Sequence, residues 1–281
     1  MKRAWWIVPA AVLLLVGCDM RSPAQKKKEA EEEARRKAAA NAGPVVRPEP
    51  PEEPHVLVKA ASGGAETVQR ASVALVKVGR DGVIECSRLT FEMGQLRKTE
   101  KGGASSSSGC CTATDPPEVR AMGGIFDQLR GSAYTAASPP CEEPVILDGD
   151  YKASWLHARK VLETMARANM TRLFFATSTK PESLQGIPAK LPANWNAAEA
   201  IPAKAKRVDV AAKGKDLQIS IDGAVYKDVA SAVSALQKAG VTEIGIHPAD
   251  SKTPLWAVVK GVEISNSIAP AGPVRFVMVD R

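Results

Sequence analysis

The side chains that most often carry chemistry are sparse in this chain. Among 281 residues there are three histidines, His55, His157 and His247, spread along the sequence. No two of them have the H-E-x-x-H or other metal-ligand spacing, so neither a zinc site nor histidine-centred catalysis is expected. The run Ser105 to Ser108 sits in no G-x-S-x-G frame, which leaves a serine hydrolase without support. Lys+Arg 38 against Asp+Glu 31 gives a net charge of +7, but no basic stripe interleaves with aromatics, so nucleic acid is not an expected partner. The expectation is a protein that is not an enzyme, with no catalytic residue, metal or cofactor.

Cysteine carries the chemistry that remains. Lys2 and Arg3 precede the short apolar run Ala4 to Val16, which is too short to span a bilayer comfortably and reads as a secretory signal. The run closes in Leu15-Val16-Gly17-Cys18, the pattern of a bacterial lipobox, which would make Cys18 the lipidated first residue of the mature chain. Acyl chains bury methylenes at roughly 0.8 kcal/mol each, so such an anchor would be durable. Asp19 follows, a residue that in enteric bacteria favours retention in the inner membrane. The expected location is therefore the periplasmic face of a bacterial envelope. There Cys86, Cys110, Cys111 and Cys141 could form disulfides. Adjacent cysteines seldom bond to each other, so Cys110 and Cys111 are each expected to reach a different partner, Cys86 or Cys141. The pairing stays open, as does the fully reduced state.

Behind the anchor comes a tether. Glu31/Arg35, Glu32/Arg36 and Glu33/Lys37 set acid four residues before base within Lys26 to Ala40, which predicts a short solvated helix. Pro44, Pro48, Pro50, Pro51 and Pro54 then favour an extended spacer.

The globular part has α+β character and divides into two similar units. In the second, strands are predicted at Val208 to Ala212, Leu217 to Ile221, Glu243 to His247 and Val274 to Val279. One helix carries Val229, Val233 and Leu236, and another begins at Pro254, giving the order β-β-α-β-α-β. The first unit reads the same way more faintly: strands at Val73 to Val78 and Val83 to Cys86, a short helix at Leu89 to Leu96, a strand at Val145 to Leu147, a helix containing Trp155, and a strand at Leu173 to Thr177. Laid without gaps, Asp150 falls on Asp250, Lys152 on Lys252, Lys160 on Lys260 and Glu163 on Glu263. The expected boundaries are a signal peptide at 1–17, the lipidated cysteine and tether at 18–70, a first domain at 71–178 with a cysteine-containing insertion at 101–143, a linker at 179–205, and a second domain at 206–281. Within the insertion, Glu118 to Leu129 has helical character, and Trp195 in the linker is expected to pack onto a domain.

Asp250, Trp256, the valine pair Val258-Val259 and Ala271-Gly272 before the last strand together resemble the periplasmic domain of the ExbD/TolR family of biopolymer-transport proteins. The first unit keeps Asp150, places a tryptophan one position early at Trp155, and lacks the Ala-Gly. The resemblance implies two tandem ExbD/TolR-like domains and work beside a polytopic motor subunit of the ExbB/TolQ type or other envelope proteins. The family's proton-carrying aspartate lies in a membrane helix, whereas Ala4 to Val16 contains no acid, so this chain is not expected to conduct protons. By residue type, Asp150 and Asp250 are expected to cap helices, and Trp155 and Trp256 to serve the core. Free sheet edges could take an extended peptide by strand addition. The alternative is a structural module that binds peptidoglycan or self-associates.

Overall fold

The structure is a computed structural model, and it describes residues 27, 31–33, 55–60, 64–68, 70–103, 108–180, 184–195, 202–270 and 272–277. The chain divides into two units at residues 53 and 54. In the first, Lys27 and Glu31 to Glu33 are helical and exposed. The signal, Cys18 and the proline run lie outside the described residues.

The second unit is built on two sheets. The first contains β1 (Glu66–Thr67), β2 (Ser72–Val78), β3 (Ile84–Glu92), β4 (Gln95–Lys101), β5 (Val145–Gly149), β6 (Arg172–Ser178) and β7 (Gln185–Lys190), in the order β1-β7-β6-β5-β2-β3-β4. The second contains β8 (Lys206–Lys213), β9 (Asp216–Ile221), β10 (Ala224–Tyr226), β11 (Ile244–Pro248) and β12 (Arg275–Phe276), in the order β10-β9-β8-β11-β12. Helices α1 (Pro117–Arg130) and α2 (Trp155–Arg167) belong to the first half, α3 (Val229–Lys238) and α4 (Leu255–Ile268) to the second.

The two halves share one topology. β2 and β5, like β8 and β11, are parallel neighbours at the sheet centre; β6 and β12 flank them in parallel; β3 and β9, then β4 and β10, extend the other side antiparallel. The chain order β-β-β-α-β-α-β is therefore common to both halves, with one strand more than the sequence pattern suggested, and the first half adds β1 and β7 on the far side of β6.

Two stretches depart from their sequence reading. Leu89 to Leu96 is not a helix: it completes β3, turns at Met93-Gly94 and enters β4. The first helix of that half is instead α1, inside the stretch taken as an insertion. Val119, Met122, Ile125 and Phe126 are buried along one face of it, so it is part of the core rather than an excursion. The stretch 179–205 likewise contains β7, which pairs antiparallel with β6, and Trp195 is buried beyond it.

Strand periodicity explains the burial. On β2, Ala74, Val76 and Val78 face the helices, while Val73 faces the opposite side, where Leu75 packs as well. β5 is buried along its whole length, as befits a central parallel strand covered on both faces. The helix-bearing faces of both sheets meet in one continuous apolar core. Phe276 of β12 lies 5.5 Å from Trp155 and 6.4 Å from Phe175, ring centroid to ring centroid.

Candidate functional site

The resemblance points to the turns that follow β5 and β11, and the structure brings those two turns together. Ser154 and Pro254 face each other in an antiparallel bridge. Trp155 N–H donates to the Thr253 carbonyl at 2.8 Å and Leu156 N–H to that of Ser251 at 2.9 Å. In return, Leu255 N–H donates to the carbonyl of Ala153 at 2.8 Å and Trp256 N–H to that of Tyr151 at 3.1 Å. Exchanging the halves turns each bond into another, with Tyr151 answering to Ser251, Ala153 to Thr253 and Trp155 to Leu255. The seam is a local two-fold axis within one chain.

This exchange settles how the two helices begin. The first N–H groups of any helix lack intrahelical acceptors. Ser154 and Pro254, the N-cap residues of α2 and α4, make no side-chain capping bond. The carbonyls of the opposite turn fill that role, so the expectation that Asp150 and Asp250 cap the helices is corrected. Each aspartate instead closes its own turn, with Asp150 Oδ1 accepting from Lys152 N–H at 2.9 Å and Asp250 Oδ1 from Lys252 N–H at 2.8 Å.

The two aspartates then diverge. Asp150 is 1% exposed. Its Oδ1 also accepts from Arg80 Nε at 2.7 Å and its Oδ2 from Val56 N–H at 3.0 Å. Burial alone would raise its pKa, but the Arg80 guanidinium and the N–H groups of Val56 and Lys152 outweigh that and hold it below the usual carboxylate value. Next to it, buried Asp148 lies 2.7 Å from His55 Nε2. Asp250 is exposed and has local partners, including Thr253 Oγ1 at 3.2 Å. The tryptophans also differ. Trp155 is buried in the shared core, whereas Trp256 corresponds to exposed Leu156 and is only partly buried. Gly272 N–H closes a turn onto the carbonyl of Ala269 at 2.9 Å, and Ala271 lies outside the described residues.

Three features escaped the sequence reading. Arg80, His55 and Asp148 join Asp150, although Asp148-Gly149-Asp150 at the end of an apolar run was a visible hint. Gly82, at φ +84°, lies against the ring of His157; a Cβ there would come within 2.3 Å of it. The third concerns the cysteines, whose pairing and redox state the sequence leaves open. Cys86, Cys110, Cys111 and Cys141 carry free thiols, and Cys110 Sγ faces its neighbour Cys111 Sγ at 3.2 Å rather than Cys86 or Cys141. His247 lies 2.7 Å from Asp209 and 2.7 Å from Arg207 on the adjacent strand β8, a surface charge cluster rather than a ligand set.

Among the described residues, no group of three or more His, Cys, Asp or Glu side chains could hold a metal ion, and no helix is long and apolar enough to cross a membrane. An open depression of about 220 Å³ beside β6 and β7 is lined by Glu66, Glu142, Arg172 and Lys190 among others, charges of both signs. No protein-family model, curated protein or solved structure matches the chain. The seam offers fixed turns and paired helix starts, an arrangement suited to presenting two similar surfaces in a fixed mutual orientation.

Proposed function

We propose that this chain is a bacterial envelope lipoprotein, anchored through Cys18, whose residues from 54 onward serve as a non-enzymatic adaptor in an ExbD/TolR-type transport or envelope-energisation complex. In this reading it carries two ExbD/TolR-like units and does not itself conduct protons. The observation that carries the proposal is the seam. The two positions singled out by the family resemblance, Asp150 and Asp250, close equivalent turns in halves that share a five-strand order, and those turns hold the halves together. A chain that joins two such units internally presents a paired surface without needing a second copy. Recognition would run through the outer strands. β4 is exposed over nearly its whole length and bears Arg97, Lys98 and Glu100, charges that discourage unspecific pairing while leaving a specific partner room.

The proposal is tested by affinity purification of the C-terminally tagged protein from membranes in mild detergent, followed by mass spectrometry. Co-purification of a polytopic motor subunit is the expected result. Saturable binding of residues 56–281 to isolated cell-wall sacculi, without a motor subunit, would replace it with the peptidoglycan reading. The anchor is tested separately: Cys18→Ala should release the protein from membranes, and its persistence in the detergent phase would overturn lipidation.

A further inference from the structure

The adjacent thiols of Cys110 and Cys111 lie in a turn packed against α1. The turn 108–111 closes with Cys111 N–H donating to the carbonyl of Ser108 at 3.3 Å. Asp127 of α1 fixes the loop, its carboxylate oxygens accepting from Gly109 N–H at 2.8 Å and Tyr134 N–H at 2.9 Å. Both sulfurs rest against Gly123 in the middle of α1. A Cβ on that residue would lie 2.6 Å from Cys111 Sγ and 3.0 Å from Cys110 Sγ. Glycine inside a helix is destabilising relative to alanine, and here its bare backbone makes the space the thiols occupy. The Ser108 hydroxyl, buried, would lie 2.8 Å from that same Cβ, on the same side as the sulfurs.

We propose that Cys110 and Cys111 form a redox-active vicinal dithiol that reduces small-molecule disulfides and closes into a disulfide between adjacent residues. The 3.2 Å separation of the sulfurs leaves only a short approach to bonding. Both side chains are partly exposed, whereas Cys86 and Cys141 are buried. Burial pushes the Cys86 thiol up to about 12, which keeps it inert.

The two members of the pair have distinct roles. The hydrogen bond with Cys110 is the largest influence on Cys111. With the Ser108 hydroxyl and the Arg167 cation, it outweighs burial and the nearby Asp115 and lowers the Cys111 thiol below its ordinary value. Cys110 is raised by its hydrogen bond with Cys111 and by burial, with Asp127 adding to the effect. Arg167 is itself held by Asp115 at 3.1 Å. Cys111 is therefore the attacking thiolate. It bonds to one sulfur of the substrate disulfide and expels the other half as a thiolate, which is then protonated. Cys110 gives up its proton and attacks Cys111 Sγ, breaking the mixed disulfide and releasing the second half. The net change is two protein thiols and one disulfide in, one protein disulfide and two small thiols out.

A lowered thiol is more fully ionised at neutral pH, and its lower intrinsic nucleophilicity offsets only part of that gain. The test uses the reduced full-length chain with glutathione disulfide as probe, acid quenching, alkylation of remaining thiols and tryptic mass mapping, because one tryptic peptide, residues 102–120, contains both cysteines and no other. In the unaltered chain this peptide should lose two hydrogens without retaining glutathione, several-fold faster than a simple model thiol forms its adduct. Cys110→Ser should stop at a stable glutathione adduct on Cys111, and Cys111→Ser should react several-fold more slowly. A persistent adduct in the unaltered chain, equal rates in the two serine variants, or a crosslink from 102–120 to the peptides of Cys86 or Cys141 would each overturn the proposal.

Discussion

Two aspartates that look alike in the sequence are put to different use, and the difference lies in what surrounds the carboxylate. Asp150 is buried against Arg80, while Asp250 faces solvent with only turn partners. Asp150→Asn keeps an acceptor for Lys152 N–H and deletes the charge facing Arg80. It should cost about 1–3 kcal/mol at neutral pH in urea unfolding, and Asp250→Asn about 0.5 kcal/mol or less. The pH dependence has a definite sign. A carboxylate whose folded pKa lies below its ordinary 3.8 stabilises the fold fully above 3.8 and loses that contribution as pH falls through the lower folded value. The gap between the unaltered chain and Asp150→Asn should therefore close on acidification below 3.8, and a gap that persists there would remove the charge from the explanation. Such differences could not be read from spacing alone, because Arg80 and Val56 reach Asp150 from distant parts of the chain.

At the scale of elements, legibility tracked the turn residues. The hairpin between β9 and β10 turns at Asp222-Gly223 with φ of 50° and 82°, a pair with the chemistry of a two-residue hairpin, and the end of β9 was placed from the sequence. Its counterpart between β3 and β4 turns at Met93-Gly94 with nearly the same angles, 51° and 78°, but methionine carries no turn signal, and the stretch was read as a helix. The same strain makes a prediction. Met93 is 96% exposed and sits in a left-handed conformation that asparagine tolerates far better. Met93→Asn should stabilise the fold by about 0.5–1 kcal/mol, seen as a higher urea midpoint with an unchanged slope. A lower midpoint would mean that the side chain has a packing role in the hairpin. β8, β9 and β11 of the second half, with α2 and α4, were found from their apolar periods, whereas the short β10 was not. β7 was missed because Gln185 to Lys190 is short and contains glycine and proline, and α1 was placed outside the core because residues 101–143 were read as an excursion.

For the whole molecule the question is whether two units of like topology behave as two domains or as one. Their connections argue for one. The starts of α2 and α4 are each satisfied by carbonyls of the other half, Asn266 of α4 donates to the Pro188 carbonyl on β7 at 2.8 Å, and Val274 N–H donates to that of Lys190 at 2.6 Å. Phe276, the last aromatic of the second half, is packed against Trp155 and Phe175 of the first. Separating the halves would leave helix N–H groups without acceptors and expose an aromatic cluster, so neither half should be stable while the other is unfolded. Urea unfolding of residues 54–281 should give one transition, with tryptophan fluorescence and far-ultraviolet circular dichroism superimposing. Phe276→Ala should lower stability by about 3–5 kcal/mol and move both signals together, because the lost contact belongs to the core common to both sheets. Independent domains would give the opposite result. The circular dichroism change would separate into two steps, and Phe276→Ala would shift only the step belonging to the second sheet.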